Sequence, residues 1–179
     1  MARIPYLNRD DLPKEYRDHF DTLQRDASRS KNIHRMMAHR PKLMQLRSAF
    51  ANELNRGETI VPSRFRELAQ LTVGRVTASV YEYHHHVERG LRAGLTKEHI
   101  MSLPVWERHP VFTAEERAVM RYAEEMTRDV RVANTTFDAL RAFLSNAQIV
   151  ELTHVIAHYN STARFLEALE VLPGEDGGA

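Results

Sequence analysis

The sequence predicts an all-α fold. Apolar residues recur at three- and four-residue spacing along most of the chain, and no segment sustains strand-type alternation. Pro, Gly, Ser and Thr also fall where helices of ordinary length would start and stop.

Taken in order, the elements are these. After an irregular, Pro-punctuated opening, Lys14 to Ala27 and Asn32 to His39 read as short helices. Pro41 suits a first helical turn, and the helix it opens carries Leu43, Leu46, Ala49, Phe50 and Leu54 before stopping near Gly57. Pro62 and Ser63 open the next, with Phe65, Leu68, Ala69, Thr72 and Val76 on one face. A further helix runs from about Ser79 to Ala93, where Gly94 offers a left-handed stop. Thr96 caps a short helix reaching Leu103, and Pro104 and Pro110 bracket a connecting loop, VWERH. Thr113 with Glu116 forms a capping box opening a helix to Arg128. Asn134 or Thr135 starts a segment reaching Leu144, and Asn146 to Leu169 supports a long final helix that Pro173 ends. Domain organisation follows: residues 1–40 an N-terminal extension packing on the core, 41–172 the helical domain, 173–179 a flexible tail. Arg66-Glu67-Leu68-Ala69 and Val150-Glu151-Leu152-Thr153 each follow a helix with an acidic run, a faint echo that suggests two similar helical halves.

Composition narrows the function. Lys and Arg number 25 against 24 Asp and Glu, a net charge of +1 that gives no long-range field for nucleic acid or an anionic membrane. Cysteine is absent, which removes disulfides, thiolate metal sites, Cys nucleophiles and dithiol redox chemistry together. The opening residues lack an apolar core of signal-peptide length and no later run suits a membrane span, so a soluble cytoplasmic protein is expected. The segment VWERH places Trp106 either as a lid or as a hydrophobic anchor, and the methionines read as core filler.

The chemistry-bearing stretch is ELAQLTVGRVTASVYEYHHH, Glu67 to His86. At about 100° per residue, Ser79, Glu82, Tyr83 and His86 share one helical stripe, whereas His84 and His85 point elsewhere. Glu82 and His86 are i,i+4 neighbours within hydrogen-bonding reach. A carboxyl beside an imidazole handles protons near neutrality, provided the pair is buried; exposed, the same spacing is an ordinary surface ion pair. Glu67, on the preceding helix among Phe65, Leu68 and Leu71, needs a partner if it faces inward.

These residues resemble the carboxymuconolactone decarboxylase and alkylhydroperoxidase D-like superfamily. Its peroxidase branch has a Glu, then a Cys-x-x-Cys and a His at the spacing kept here by Glu67, Ser79, Glu82 and His86, with both cysteines replaced. The decarboxylase branch's H-E-L-R-L-H-V is matched at Glu82, His86 and Val87 and not at Tyr81. RAGLTKEHI and YNSTARFLEALEV continue the likeness, which covers about Pro41 to Val171. The resemblance implies an alkylhydroperoxidase D-like helical bundle with a proton-relay site on Glu67, Ser79, Tyr81, Glu82 and His86. It implies cofactor-free, lyase-type decarboxylation of a small unsaturated acid or lactone. Peroxide reduction is excluded because Ser79 and Glu82 cannot cycle through a disulfide. In that scheme His86 and Glu82 exchange the proton, Glu67 holds or tunes them, and Tyr81 or Ser79 donates to a substrate oxygen, with Arg75 a candidate carboxylate clamp. The alternatives are a catalytically inactive ligand-binding relative, and a four-ligand metal site if His154 and His158 meet Glu82 and His86. Neither cofactor nor metal is expected in the leading reading. The last helix is apolar round much of its circumference, through Val155, Ile156, Tyr159, Phe165, Leu166 and Leu169, so a homo-oligomer is expected, as in the family (trimers, hexamers or other assemblies).

Overall fold

The computed structural model describes residues 2–25 and 31–174. Asp26 and Ala27 of the first predicted helix, and residues 175–179 of the predicted tail, lie outside the described residues. Among those described, every long element is an α-helix: α1 (Lys14–Arg25), α2 (Lys31–Met37), α3 (Pro41–Arg56), α4 (Ser63–Val76), α5 (Val80–Arg92), α6 (Lys97–Ser102), α7 (Ala114–Arg128), α8 (Asn134–Arg141) and α9 (Asn146–Leu169). Single turns of 3-10 helix at Arg9–Asp11 and Leu103–Val105 complete the set.

The predicted punctuation is used as such. Pro41 opens α3, and the Gly57 N–H closes it on the carbonyls of Asn52 and Glu53. Thr96 caps α6 through the His99 N–H at 3.3 Å. At α7 the Thr113 hydroxyl accepts from the Glu116 N–H at 3.2 Å while Glu116 returns a bond to the Thr113 N–H at 2.9 Å, so two orphan donors of the helix start are satisfied together.

The chain forms two compact units, residues up to Gly57 with those from Phe165 onward, and Glu58–Arg164. In the first, Leu12, Phe20, Leu23, Ala38 and Met44 make the core. Its two chain ends are tied: the Arg3 N–H donates to the Leu169 carbonyl at 3.0 Å, and Asn32 Nδ2 donates to the Leu172 carbonyl at 3.1 Å. The face of α3 differs from the one expected. Met44, Ser48 and Leu54 are buried, whereas Leu43, Leu46 and Phe50 are 51%, 56% and 45% exposed. Two stripes of α3 carry apolar residues, so periodicity alone did not choose between them.

In the second unit, Leu68, Leu71, Leu95, Leu103, Trp106, Phe112 and Met120 form the core. Trp106 is an anchor rather than a lid: it is buried, its indole N–H donates to Glu124 Oε2 at 3.2 Å, and Arg121 lies over its ring. Glu151 of α9 accepts the N–H groups of Ile60 and Val61 at 2.8 and 3.1 Å, which fixes the entry to α4. The apolar circumference of α9 is spent inside the protein: Val155, Ile156, Tyr159 and Leu166 are all buried. Phe165 and Leu169, also on the apolar circumference, are half-buried.

Candidate active site

The site is built on the α4–α5 hairpin. Helix α4 ends at Val76, and the chain reverses through Thr77, Ala78 and Ser79, with Ala78 in the left-handed region at φ 54°. The Ser79 N–H returns to the Gly74 carbonyl at 2.9 Å, and the Ser79 carbonyl accepts the Tyr83 N–H at 3.0 Å. The two backbones approach closely where Gly74 has no side chain: a Cβ there would sit 3.1 Å from the Tyr83 nitrogen and 3.3 Å from its Cα. Antiparallel packing then brings Glu67 of α4 against His86 of α5, 19 positions later.

Three of the five predicted residues form one cluster. His86 Nδ1 donates to Glu67 Oε2 at 2.7 Å, and His86 Nε2 stands 3.5 Å from Glu82 Oε2. The His86 and Glu82 side chains are 3% and 7% exposed and that of Glu67 is 13% exposed, so the bond replaces water rather than competing with it. Burial works against a charged imidazole, yet hydrogen bonds and charge from Glu67 and Glu82 outweigh it and hold the His86 pKa above its ordinary value. The position between Glu67 and Glu82 thus favours the protonated form of the ring. Tyr159 of α9 closes the cluster edge-on, its ring centroid 4.7 Å from that of His86. Sequence reading placed Tyr159 in the α9 core and not in the site; its position on the buried stripe of α9 was the available signal, while its partner on α5 was not legible.

The other two predicted residues lie elsewhere. Ser79 is fully buried at the α5 N-cap, and its Oγ has no hydrogen-bond partner. Tyr81 is buried and packs against the His85 ring at 4.8 Å. Ser79 belongs to the floor of an open cleft of about 760 Å³ that runs along α5, with Arg75, Tyr83, His85, Val87 and Leu91 among its walls. Glu67, Glu82 and His86 do not line this cleft, and Ser79, which does, precedes Glu82 by about one helical turn. Burial pushes the His85 pKa down to about 4, against the pull of Glu82, so this wall is uncharged near neutrality. Arg75 is engaged by Glu124 through one terminal nitrogen, while its Nε is buried without a partner. Among the described residues no group of three or more His, Asp or Glu is arranged to hold a metal, and His154 is exposed, so the four-ligand arrangement with His154 and His158 is not assembled.

The helical hairpin of α4 and α5 thus carries a buried Glu–His–Glu cluster along its length. Residues 41–125 match the carboxymuconolactone decarboxylase family. That match spans just under half of the chain, and the fold is the alkylhydroperoxidase D-like one. Its fold is shared with an uncharacterised peroxidase-related protein from Silicibacter sp. TM1040, at 21% identity over 99% of this chain and 94% of that one, TM-score 0.82. A second match is the alkylhydroperoxidase AhpD core of an uncharacterised peroxidase-related protein from Ralstonia eutropha JMP134, at 17% identity over 98% and 94%, TM-score 0.83. A third is a cysteine-to-alanine variant of the debrominase Bmp8 in complex with 2,3,4-tribromopyrrole, at 16% identity over 97% and 94%, TM-score 0.78. At these identities the likeness establishes the fold and not the activity. No curated protein sequence matches significantly. Among the described residues no helix is long and apolar enough to cross a membrane.

Proposed function

We propose that the protein performs cofactor-free acid–base chemistry of the lyase type, decarboxylation included, on a small unsaturated acid or lactone. The observation that carries this reading is the buried His86 held between Glu67 at 2.7 Å and Glu82 at 3.5 Å. In the proposed reaction the bond between the substrate carbon and its carboxylate breaks and carbon dioxide leaves. The electron pair moves into the conjugated carbonyl, and the carbon is then protonated from the Glu82/His86 pair. Glu67 sets the imidazole orientation and keeps its proton in place, making it a positioning residue. Ser79 donates to the oxygen that gains charge, and the apolar cleft wall favours loss of the substrate's negative charge. Without cysteine the peroxidase chemistry of dithiol relatives has no counterpart here.

Solvent-hydrogen exchange reads the proton step without knowledge of the natural substrate. The protein is expected to exchange deuterium from D2O into the carbon next to the conjugated system of unsaturated acids and lactones, followed by NMR. Glu82→Gln and His86→Ala should each slow exchange by about 10²–10⁴-fold, the usual worth of a positioned acid or base. Wild-type rates in both variants would sink the assignment. One observation favours a second reading, a ligand-binding relative without turnover: none of Glu67, Glu82 and His86 lines the cleft. Binding of such compounds with no exchange by the wild type would select it.

Self-association into a homo-oligomer also remains part of the proposal, now supported by the exposed stripe of Leu43, Leu46 and Phe50 on α3 rather than by α9. A monomer by light scattering would remove it.

A further inference from the structure

The cleft along α5 is a poor fit for a small, highly polar acid. Its volume of about 760 Å³ lies in the range that accommodates drug-sized ligands. Val80, Tyr83, Val87 and Leu91 of the cleft follow one another at three- and four-residue spacing, so an apolar lane extends along the helix for about 16 Å. Val80 and Leu91, at its two ends, are 69% and 38% exposed and gain most from being covered. Polar demand is concentrated at one end only. There the Ser79 hydroxyl, on a fully buried residue, and Arg75 Nε are both without partners, and both residues belong to the cleft. Unpaired buried donors of this kind discriminate strongly for a ligand that satisfies them.

We propose that the cleft binds an amphiphilic α,β-unsaturated monocarboxylate: an oxygen-bearing head at Ser79 and Arg75, and an apolar body laid along Val80, Val87 and Leu91. This deepens the acid–base reading, resting on it for the conjugated head, and adds that recognition is carried by the body. Arg75 is the single Lys or Arg in the cleft lining and Glu88 adds a carboxyl group, so a dicarboxylate of the same length is disfavoured.

Titration calorimetry of the full chain with crotonate, trans-2-octenoate and the eight-carbon unsaturated dicarboxylate tests this. Each buried methylene tightens binding about fourfold, so octenoate should bind about two orders of magnitude more tightly than crotonate and clearly better than the dicarboxylate. Ser79→Ala should weaken octenoate about two- to tenfold. Leu91→Trp, on the exposed end of the lane, should abolish the gain of octenoate over crotonate while leaving crotonate unchanged. Glu82→Gln and His86→Ala should bind octenoate as the wild type does, even where deuterium exchange is lost, which separates a failure of this proposal from a failure of the acid–base reading. Equal affinity for crotonate and octenoate, or preference for the dicarboxylate, overturns it. So does the absence of binding by any of the three with light scattering showing a dimer that Leu91→Trp dissociates, since the cleft would then be covered by a second copy of the chain.

Discussion

Two regions of the second unit hold a histidine beside a glutamate, and they behave in opposite ways. In the first, His86 lies between Glu67 and Glu82, and its pKa is raised. In the second, His99 of α6 lies 3.9 Å from Glu116 of α7, and its pKa is lowered. Both histidines are buried, and burial alone disfavours the charged form at each. The difference is Arg64. Its guanidinium donates to His99 Nε2 at 2.7 Å and is also bonded to Glu116, so the carboxylate's attraction is already taken by a permanent cation. His99 Nδ1 lies 2.7 Å from the Thr96 hydroxyl and accepts the Thr96 N–H at 3.2 Å, which ties the ring to the α6 N-terminus. The surroundings therefore favour the charged imidazole at α4–α5 and disfavour it at α4–α6–α7, where Arg64 lies against the ring.

The comparison breaks most severely if the imidazole is taken out of the first region. His86→Leu leaves Glu67 and Glu82 facing each other without a cation, and should cost about 3–5 kcal/mol in urea unfolding at pH 7. Next comes the exchange of one behaviour for the other. Arg64→Met frees Glu116 for His99, so the His99 ring resonances should titrate at a higher pH than in the wild type, at a cost of about 2–3 kcal/mol in stability. An unchanged His99 titration would show that Arg64 is not the determinant.

A smaller effect sharpens the contrast through its sign. The His86 pKa is higher folded than unfolded, so its support is fully present below about pH 6.5 and is lost as pH rises through the folded value. The His99 pKa is lower folded than unfolded, so its support is present above about pH 6.5 and is lost as pH falls through the folded value. The stability difference between wild type and His86→Asn should therefore narrow toward alkaline pH, and that between wild type and His99→Asn toward acid pH. Parallel curves would contradict both assignments. The smallest effect concerns the hairpin turn. Ala78→Gly relieves a left-handed alanine and should raise stability by about 0.5–1 kcal/mol, with no change at His99.

How much of this was legible in the sequence depends on whether the signal is local. Helix ends were, because Pro41, Gly57, Thr96 and the Thr113/Glu116 box act within a turn of where they sit. The i,i+4 relation of Glu82 and His86 was legible for the same reason. Which face of α3 turns inward was not, since Leu43, Leu46 and Phe50 make as good a stripe as the buried one. The role of Tyr159, the interposition of Arg64 between His99 and Glu116, and the placing of Ser79 but not His86 in the cleft lining all depend on side chains from separate helices meeting. Periodicity fixes directions around one axis and says nothing of the register between two. Glu67 is the intermediate case: its need for a partner followed from inward-facing neighbours, and the identity of that partner came through the family spacing rather than from the residues themselves.

Gly74 has a consequence for how this molecule can change. The reach from acid to imidazole is set where two main chains touch with only hydrogens between them, well away from either group. A single methyl added at that point would make the two backbones give by a few tenths of an ångström, at a position that carries no reactive atom.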